Sequence, residues 1–170
     1  MNPGDQKTLT IARRSRKNLE FMYKEKGNGA DVEEFTQLLN SMLGMLICLR
    51  EEYFKRAEVS WEDAGIKPID VRQEKSDDAH PDLREVKSFS KLVSNTRHAF
   101  AHNCFELVGN PAITGNKVWN VPDPPDHDPK KRTDPKKRTW EAEFSEQHLR
   151  ELAYCFVDYI ERRHGHEMPK

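Results

Sequence analysis

Arg97, His98 and His102 are the residues of this chain whose types and spacing best suit chemistry. An arginine guanidinium binds anionic oxygens through a forked set of N–H groups, and a histidine imidazole accepts or donates a proton near neutral pH. The small residues Ala99 and Ala101 lie between them, so a substrate backbone or another chain could approach closely. The combination suits cleavage of a phosphodiester without a metal ion, and we expect neither a metal nor a cofactor.

The same three residues allow two other interpretations. On an ideal helix Arg97 and His102 lie about 140° apart and flank a strip of surface that contains His98. His98 and His102 are also an i, i+4 pair, a spacing that suits zinc on one helix face, although a third ligand would have to come from elsewhere. The simplest alternative is a helix with solvated polar groups.

The elements that position these residues are predicted from apolar side chains at three- and four-residue spacing. They indicate a mainly α protein, an antiparallel bundle of four to five helices. We expect the first helix over about 8–26, a second opening near 31 and a third over about 81–107, which carries the motif. Ser145 is expected to cap a last helix that Gly165 ends. Residues 58–79 are predicted to form a long connection with one short helical turn at 61–65.

A small strand region is predicted before the last helix. Apolar residues around Gly115 and Asn116 favour a short hairpin with its turn at these two residues. Residues 139–144 alternate polar and apolar side chains, which is typical of a strand, and are the expected partner of the hairpin.

Composition limits the function classes. A chain of 170 residues is expected to form one domain, 1–170, and its net charge of −1 gives no overall attraction to nucleic acid, so any RNA-binding face must be local. The cations at 13–17 are interpreted as a solvated helix face. No apolar run is long enough for a membrane span, and the start lacks the features of a signal peptide. Cys48, Cys104 and Cys155 are far apart and are expected to be reduced, in keeping with a cytoplasmic protein.

A basic loop is predicted at about 122–138. It contains a tandem duplication, since residues 128–133 and 134–139 have the same sequence, Asp-Pro-Lys-Lys-Arg-Thr. Its prolines and cations predict an exposed, flexible segment. One interpretation is a solvated insertion, and another is an electrostatic arm for nucleic-acid phosphates. The candidate phosphate contacts are Lys130, Lys131, Arg132, Lys136, Lys137 and Arg138.

Arg97-His98 followed by His102 resembles the Arg-polar-x3-His motif of the HEPN superfamily, small helical domains of which many are ribonucleases. Val118-Trp119 and residues 139–145, placed before a final helix, are similar to one bacterial HEPN nuclease family that is often plasmid- or phage-associated. The resemblance covers roughly residues 82–160. It departs in one detail, because the residue after the arginine is often Asn or Asp in the superfamily and is His98 here.

The resemblance implies a metal-independent endoribonuclease of toxin or anti-phage type. It implies a homodimer whose two motifs meet in one composite active site and cut single-stranded or looped RNA. Arg97, His98 and His102 would be catalytic, with Asn95 and Asn103 binding or orienting the substrate. A toxin would also need an antitoxin or regulatory partner. The alternative is a catalytically inactive HEPN-like module used for dimerisation or partner binding.

Overall fold

The computed structural model describes residues 3–48, 59–64, 72–74, 86, 88–110, 112–121 and 138–164. Four helices lie in these residues, namely α1 (Pro3–Gly27), α2 (Glu34–Cys48), α3 (Phe89–Ala101) and α4 (Glu146–His164). Four strands accompany them, namely β1 (Arg72–Glu74), β2 (Phe105–Val108), β3 (Gly115–Asn120) and β4 (Trp140–Ser145). The predicted mainly α fold with a small strand region before the last helix is confirmed. None of the helices in the described ranges is long and apolar enough to cross a membrane.

The helices pack around one core. α1 packs on α2 and α4, α2 also contacts α4 and α3, and α3 lies against β3. α1 and α4 run antiparallel, because Arg13 and Arg16 pair with Glu161 while Tyr23, later in α1, bonds to Glu146 at the start of α4. Phenylalanines from three elements are fully buried where helices and sheet meet: Phe89, Phe144 and Phe156.

The sheet is antiparallel, with strand order β1-β4-β3-β2. Val118 lies opposite Ala142, and both are buried on the face of the sheet that meets the helices. β1 pairs with β4 although it falls within the connection predicted over 58–79. The strand predicted at 139–144 is present as β4.

The predicted third helix is too long at its C-terminal end, and residues 81–85 and 87 at its N-terminal end lie outside the described residues. α3 begins at Phe89, after Ser88, and ends at Ala101, whereas the prediction ran over about 81–107. Residues 105–107 instead belong to β2, whose backbone pairs with β3. Short apolar runs satisfy the helix and strand patterns equally well, so pairing with β3 decides the outcome.

The predicted hairpin turn at Gly115 and Asn116 is also wrong. Both residues lie in β3, and the chain reverses between Val108 and Gly115. Gly115 is required for another reason, since a Cβ there would come within 2.5 Å of the Phe144 carbonyl oxygen on β4. The glycine therefore indicates a close approach of two strands, not a turn.

Candidate active site

The start of α3 is fixed by two serines. Ser88 is the N-cap, and its hydroxyl accepts a hydrogen bond from the backbone N–H of Lys91 at 3.4 Å. Ser90 binds Val59 twice: its hydroxyl accepts from the Val59 N–H at 3.0 Å, and its own N–H donates to the Val59 carbonyl at 3.2 Å. These bonds hold the motif helix against the segment at 59–64.

The end of α3 is fixed by a Schellman motif that places His102. His102 is the C-cap residue, and Asn103 after it adopts the left-handed conformation with φ 55°. The N–H of Asn103 donates to Phe100 at 3.1 Å, and the N–H of Cys104 donates to Ala99 at 2.8 Å. This pair of bonds satisfies the last carbonyls of the helix.

Cys104 then joins the motif to the sheet. Its carbonyl accepts a hydrogen bond from the Trp119 N–H at 3.0 Å, and its side chain is buried. The rings of Phe100 and Phe105, before and after the turn, pack edge to face at 5.2 Å between centroids. The backbone of His102 is therefore held from the helix side and the sheet side at once.

His98 and His102 lie next to each other on the outer face of α3. Their ring centroids are 4.4 Å apart, with an edge-to-face angle of 62° between the ring planes. Both side chains are half-buried, as is Arg97, while Ser94 and Ala101 on the same face are exposed. The predicted strip of surface between Arg97 and His102 is thus present and is lined by small residues.

Arg97 carries the charge of this face. No hydrogen bond or ion pair joins its guanidinium to another side chain within the described residues. α3 contains no acidic residue, and Lys91 is exposed on the same face as His98 and His102. A cationic face with two adjacent imidazoles can bind an anionic oxygen and exchange protons with it.

The two predicted orienting asparagines lie in different environments. Asn95 is buried, at 9% exposure, one helical turn before His98. Asn103 is exposed, and its positive φ gives it a backbone role that the sequence did not reveal. Asparagine is one of the few residues that adopt this conformation without a large penalty.

Of the six predicted phosphate contacts, Arg138 is the one within the described residues, while the other five lie outside them. Its guanidinium stacks on the Trp119 ring at 4.2 Å and forms an ion pair with Glu141. The Arg138 side chain is only 20% exposed. Most of the guanidinium is therefore already bound within the protein, in contrast to the exposed arm predicted from the basic repeat.

Sequence reasoning missed two neighbours of the motif. Lys91 and Ser94 share the exposed face of α3 with the histidines. The signal was helical spacing, because Lys91, His98 and His102 recur at steps of seven and four residues. Among the described residues no group of three or more His, Cys, Asp or Glu side chains is arranged to hold a metal ion.

The helical core, the sheet before the last helix and the arginine–histidine face agree with the HEPN-type domain that the sequence resemblance implies. The profile of the family described as HEPN pEK499 p136 matches residues 1–167, so the chain belongs to this family. Many HEPN domains are ribonucleases, and HEPN domains commonly dimerise. No curated protein and no solved structure matches the chain.

Proposed function

We propose that this protein is a metal-independent endoribonuclease that cuts single-stranded or looped RNA. The observation that carries the proposal is the pair of imidazoles at 4.4 Å, His98 and His102, next to Arg97 on an exposed helix face in a HEPN chain. Two adjacent imidazoles can serve as the acid and the base that transesterification of RNA requires.

The reaction begins at the ribose 2′-hydroxyl. One imidazole, that of His102, takes the hydroxyl proton as the 2′-oxygen forms a bond to phosphorus. The bond from phosphorus to the departing 5′-oxygen breaks, and a second imidazole protonates that oxygen. Arg97 stabilises the charge that develops on the phosphoryl oxygens. The products are a 2′,3′-cyclic phosphate and a 5′-hydroxyl end, and DNA is left intact because it lacks the 2′-hydroxyl.

Two histidines could supply the second imidazole in this scheme. It is either His98 of the same chain or His102 of a second copy, because we propose a homodimer in which the two motifs form one composite site. The exposed Ser94 and Ala101 are small enough for two α3 helices to approach closely. His98, Asn95 and Asn103 would then position the phosphate or the partner imidazole.

The biological role proposed here is that of a toxin or anti-phage nuclease. It rests on the resemblance of residues 82–160 to one HEPN nuclease family that is often plasmid- or phage-associated, and it implies an antitoxin or regulatory partner. The five cations of the basic repeat outside the described residues remain proposed contacts for RNA phosphates.

The decisive test is cleavage of total RNA in excess chelator by the wild-type protein, His102→Ala and Arg97→Ala. We expect chelator-resistant cleavage that falls at least a hundredfold in both variants. Equal trace cleavage in all three samples would indicate a contaminant and favour an inactive dimerisation module. Cleavage that stops with chelator and returns with zinc would favour the metal site instead.

The composite site has its own test, in which the two inactive variants are mixed. A mixed dimer of His102→Ala with Arg97→Ala retains one Arg97 and one His102 across the interface, so cleavage should partly return. Sedimentation at micromolar concentration should give twice the monomer mass. A monomeric species, or a mixture as inactive as its components, contradicts the composite site.

A further inference from the structure

The outer face of α1 combines cations with an exposed aromatic ring. Lys7, Arg14, Lys17 and Lys24 are all exposed, and they lie with Phe21 within an arc of about 100° around the helix. Phe21 is 66% exposed, the most exposed large apolar side chain in the described residues. Lys7 and Lys24 are separated by about 25 Å along the helix axis, at 1.5 Å per residue.

These four cations differ from the other cations of α1 in having no acidic partner. Arg13 and Arg16 pair with Glu161 on α4, and Lys26 pairs with Glu34 at the start of α2. No hydrogen bond or ion pair joins the four to a side chain of the described residues. The predicted solvated cluster at 13–17 therefore divides into a paired half facing α4 and an unpaired half facing outward.

An apolar cavity opens beside Phe21, between α1 and the start of α2. Its volume is about 280 Å³, and its walls include Phe21, Met22 and Val32. Asn18, Gln37 and Ser41 place amide and hydroxyl groups at the same cavity, and Glu25 places one carboxylate there, which can accept hydrogen bonds from a base edge. An apolar surface with a few polar groups suits an unstacked base, which is recognised by stacking and by hydrogen bonds to its edge.

We propose that this surface, called here the α1 face, binds single-stranded RNA outside the cleavage site. A base stacks on Phe21 at the cavity, and the phosphates on either side contact the four unpaired cations. A positively charged track with an aromatic stacking platform is how proteins bind single strands. The inference rests on the proposed function, since it supplies a surface that holds the RNA which α3 cuts. The main packing partners of α1 are α2 and α4, whereas those of the motif helix are α2 and β3.

The test measures binding without cleavage. The probe is a labelled single-stranded 2′-O-methyl RNA, which lacks the attacking hydroxyl, titrated by fluorescence anisotropy at several salt concentrations. Phe21→Ala and Phe21→Leu should each weaken binding at least fivefold, because stacking requires an aromatic ring. Phe21→Trp keeps an aromatic ring and should bind as tightly as the wild-type protein. The double variant Arg14→Gln, Lys17→Gln should lower the salt slope by about 1.4, at 0.7 per phosphate contact on a single strand.

The controls separate this inference from the ribonuclease proposal. Arg162→Gln removes an exposed cation on α4, which has no part in the cleavage site or the α1 face, and should leave both the affinity and the salt slope unchanged. An α1 face that binds the probe in a protein without ribonuclease activity would support this inference and refute only the proposed function. Unchanged affinity and slope in the Phe21 and cation variants would refute the inference. Affinity that Phe21→Leu retains would refute stacking of a base on Phe21. A Phe21→Ala variant that alters sedimentation but not RNA affinity would also refute the inference, because it indicates a protein contact at Phe21.

Discussion

Two arginines in this protein show what decides whether a cation is available for a substrate. Arg97 lies on the exposed face of α3, in a helix without acidic residues, and has no ion-pair partner within the described residues. Arg138 lies two residues before β4, stacked on Trp119 and paired with Glu141. The residue types are the same, but the second guanidinium is already bound by protein groups.

The comparison predicts opposite consequences for the two residues. Loss of a partnered guanidinium leaves other groups of the protein unsatisfied, so it affects folding. Loss of an unpartnered one leaves the fold unchanged and affects only what binds there. Stability and cleavage measured on the same variants therefore distinguish a structural arginine from a functional one.

The largest expected effect is on cleavage by Arg97 variants. Arg97→Ala should lower the cleavage rate by 10²- to 10³-fold, the usual cost of removing one group that stabilises developing charge. Arg97→Lys should recover only part of this, because lysine keeps the charge but lacks the forked donors. The free energy of unfolding should change by less than about 0.5 kcal/mol in both. The measurements are single-turnover cleavage and denaturant unfolding.

Arg162→Ala is the matched control for this prediction, since it removes an exposed arginine on α4. It should alter neither measurement. Full activity in Arg97→Lys would mean that charge alone is required, and full activity in Arg97→Ala would remove Arg97 from the mechanism.

The next effect is on stability, at Arg138. Glu141 is 7% exposed and is paired with both Arg138 and Lys117, the latter at 2.5 Å. Arg138→Ala removes one of the two cations and the stacking on Trp119, which should lower the free energy of unfolding by about 1–3 kcal/mol. Arg138→Lys keeps the charge without the planar stacking and should cost less. The denaturation midpoint measures both.

RNA affinity completes the test of Arg138. If Arg138→Ala unfolds at the same midpoint as wild type while affinity for the uncleavable RNA falls, the contacts of Arg138 with Glu141 and Trp119 contribute little to stability. Arg138 would then belong with the predicted phosphate contacts.

The sequence predicted elements whose signals are local. Ser145 was expected to cap the last helix, and its hydroxyl accepts from the His148 N–H at 3.2 Å while the His148 Nδ1 accepts from the Ser145 N–H at 3.3 Å. The alternating pattern of β4 was equally clear. Both features need only residues within a few positions of each other.

The predictions that were wrong depend on distant partners. β2 was assigned to a helix because its short apolar run has no periodicity of its own, and only pairing with β3 makes it a strand. β1 is three residues long and pairs with a strand about 70 positions later. The partner of Arg138 was visible in the sequence at i+3, but the Trp119 ring under it belongs to another strand.

The candidate site was predicted as a set of residues but not in its backbone. Arg97, His98 and His102 lie on one face, as the helical spacing indicated. The turn that holds His102 was missed because an asparagine in the left-handed conformation leaves a weaker signal than glycine.

Asn103 gives the smallest and most specific prediction, because its backbone and its amide can be tested apart. Asn103→Gly keeps the left-handed conformation without a side chain and should leave the free energy of unfolding within about 0.5 kcal/mol. Asn103→Ala places a Cβ in that conformation and should cost about 1 kcal/mol. Cleavage by Asn103→Gly then isolates the amide, since the turn that positions His102 is preserved. An active Asn103→Gly variant limits Asn103 to holding the turn, whereas a stable but slow one assigns its amide to the substrate or the partner imidazole.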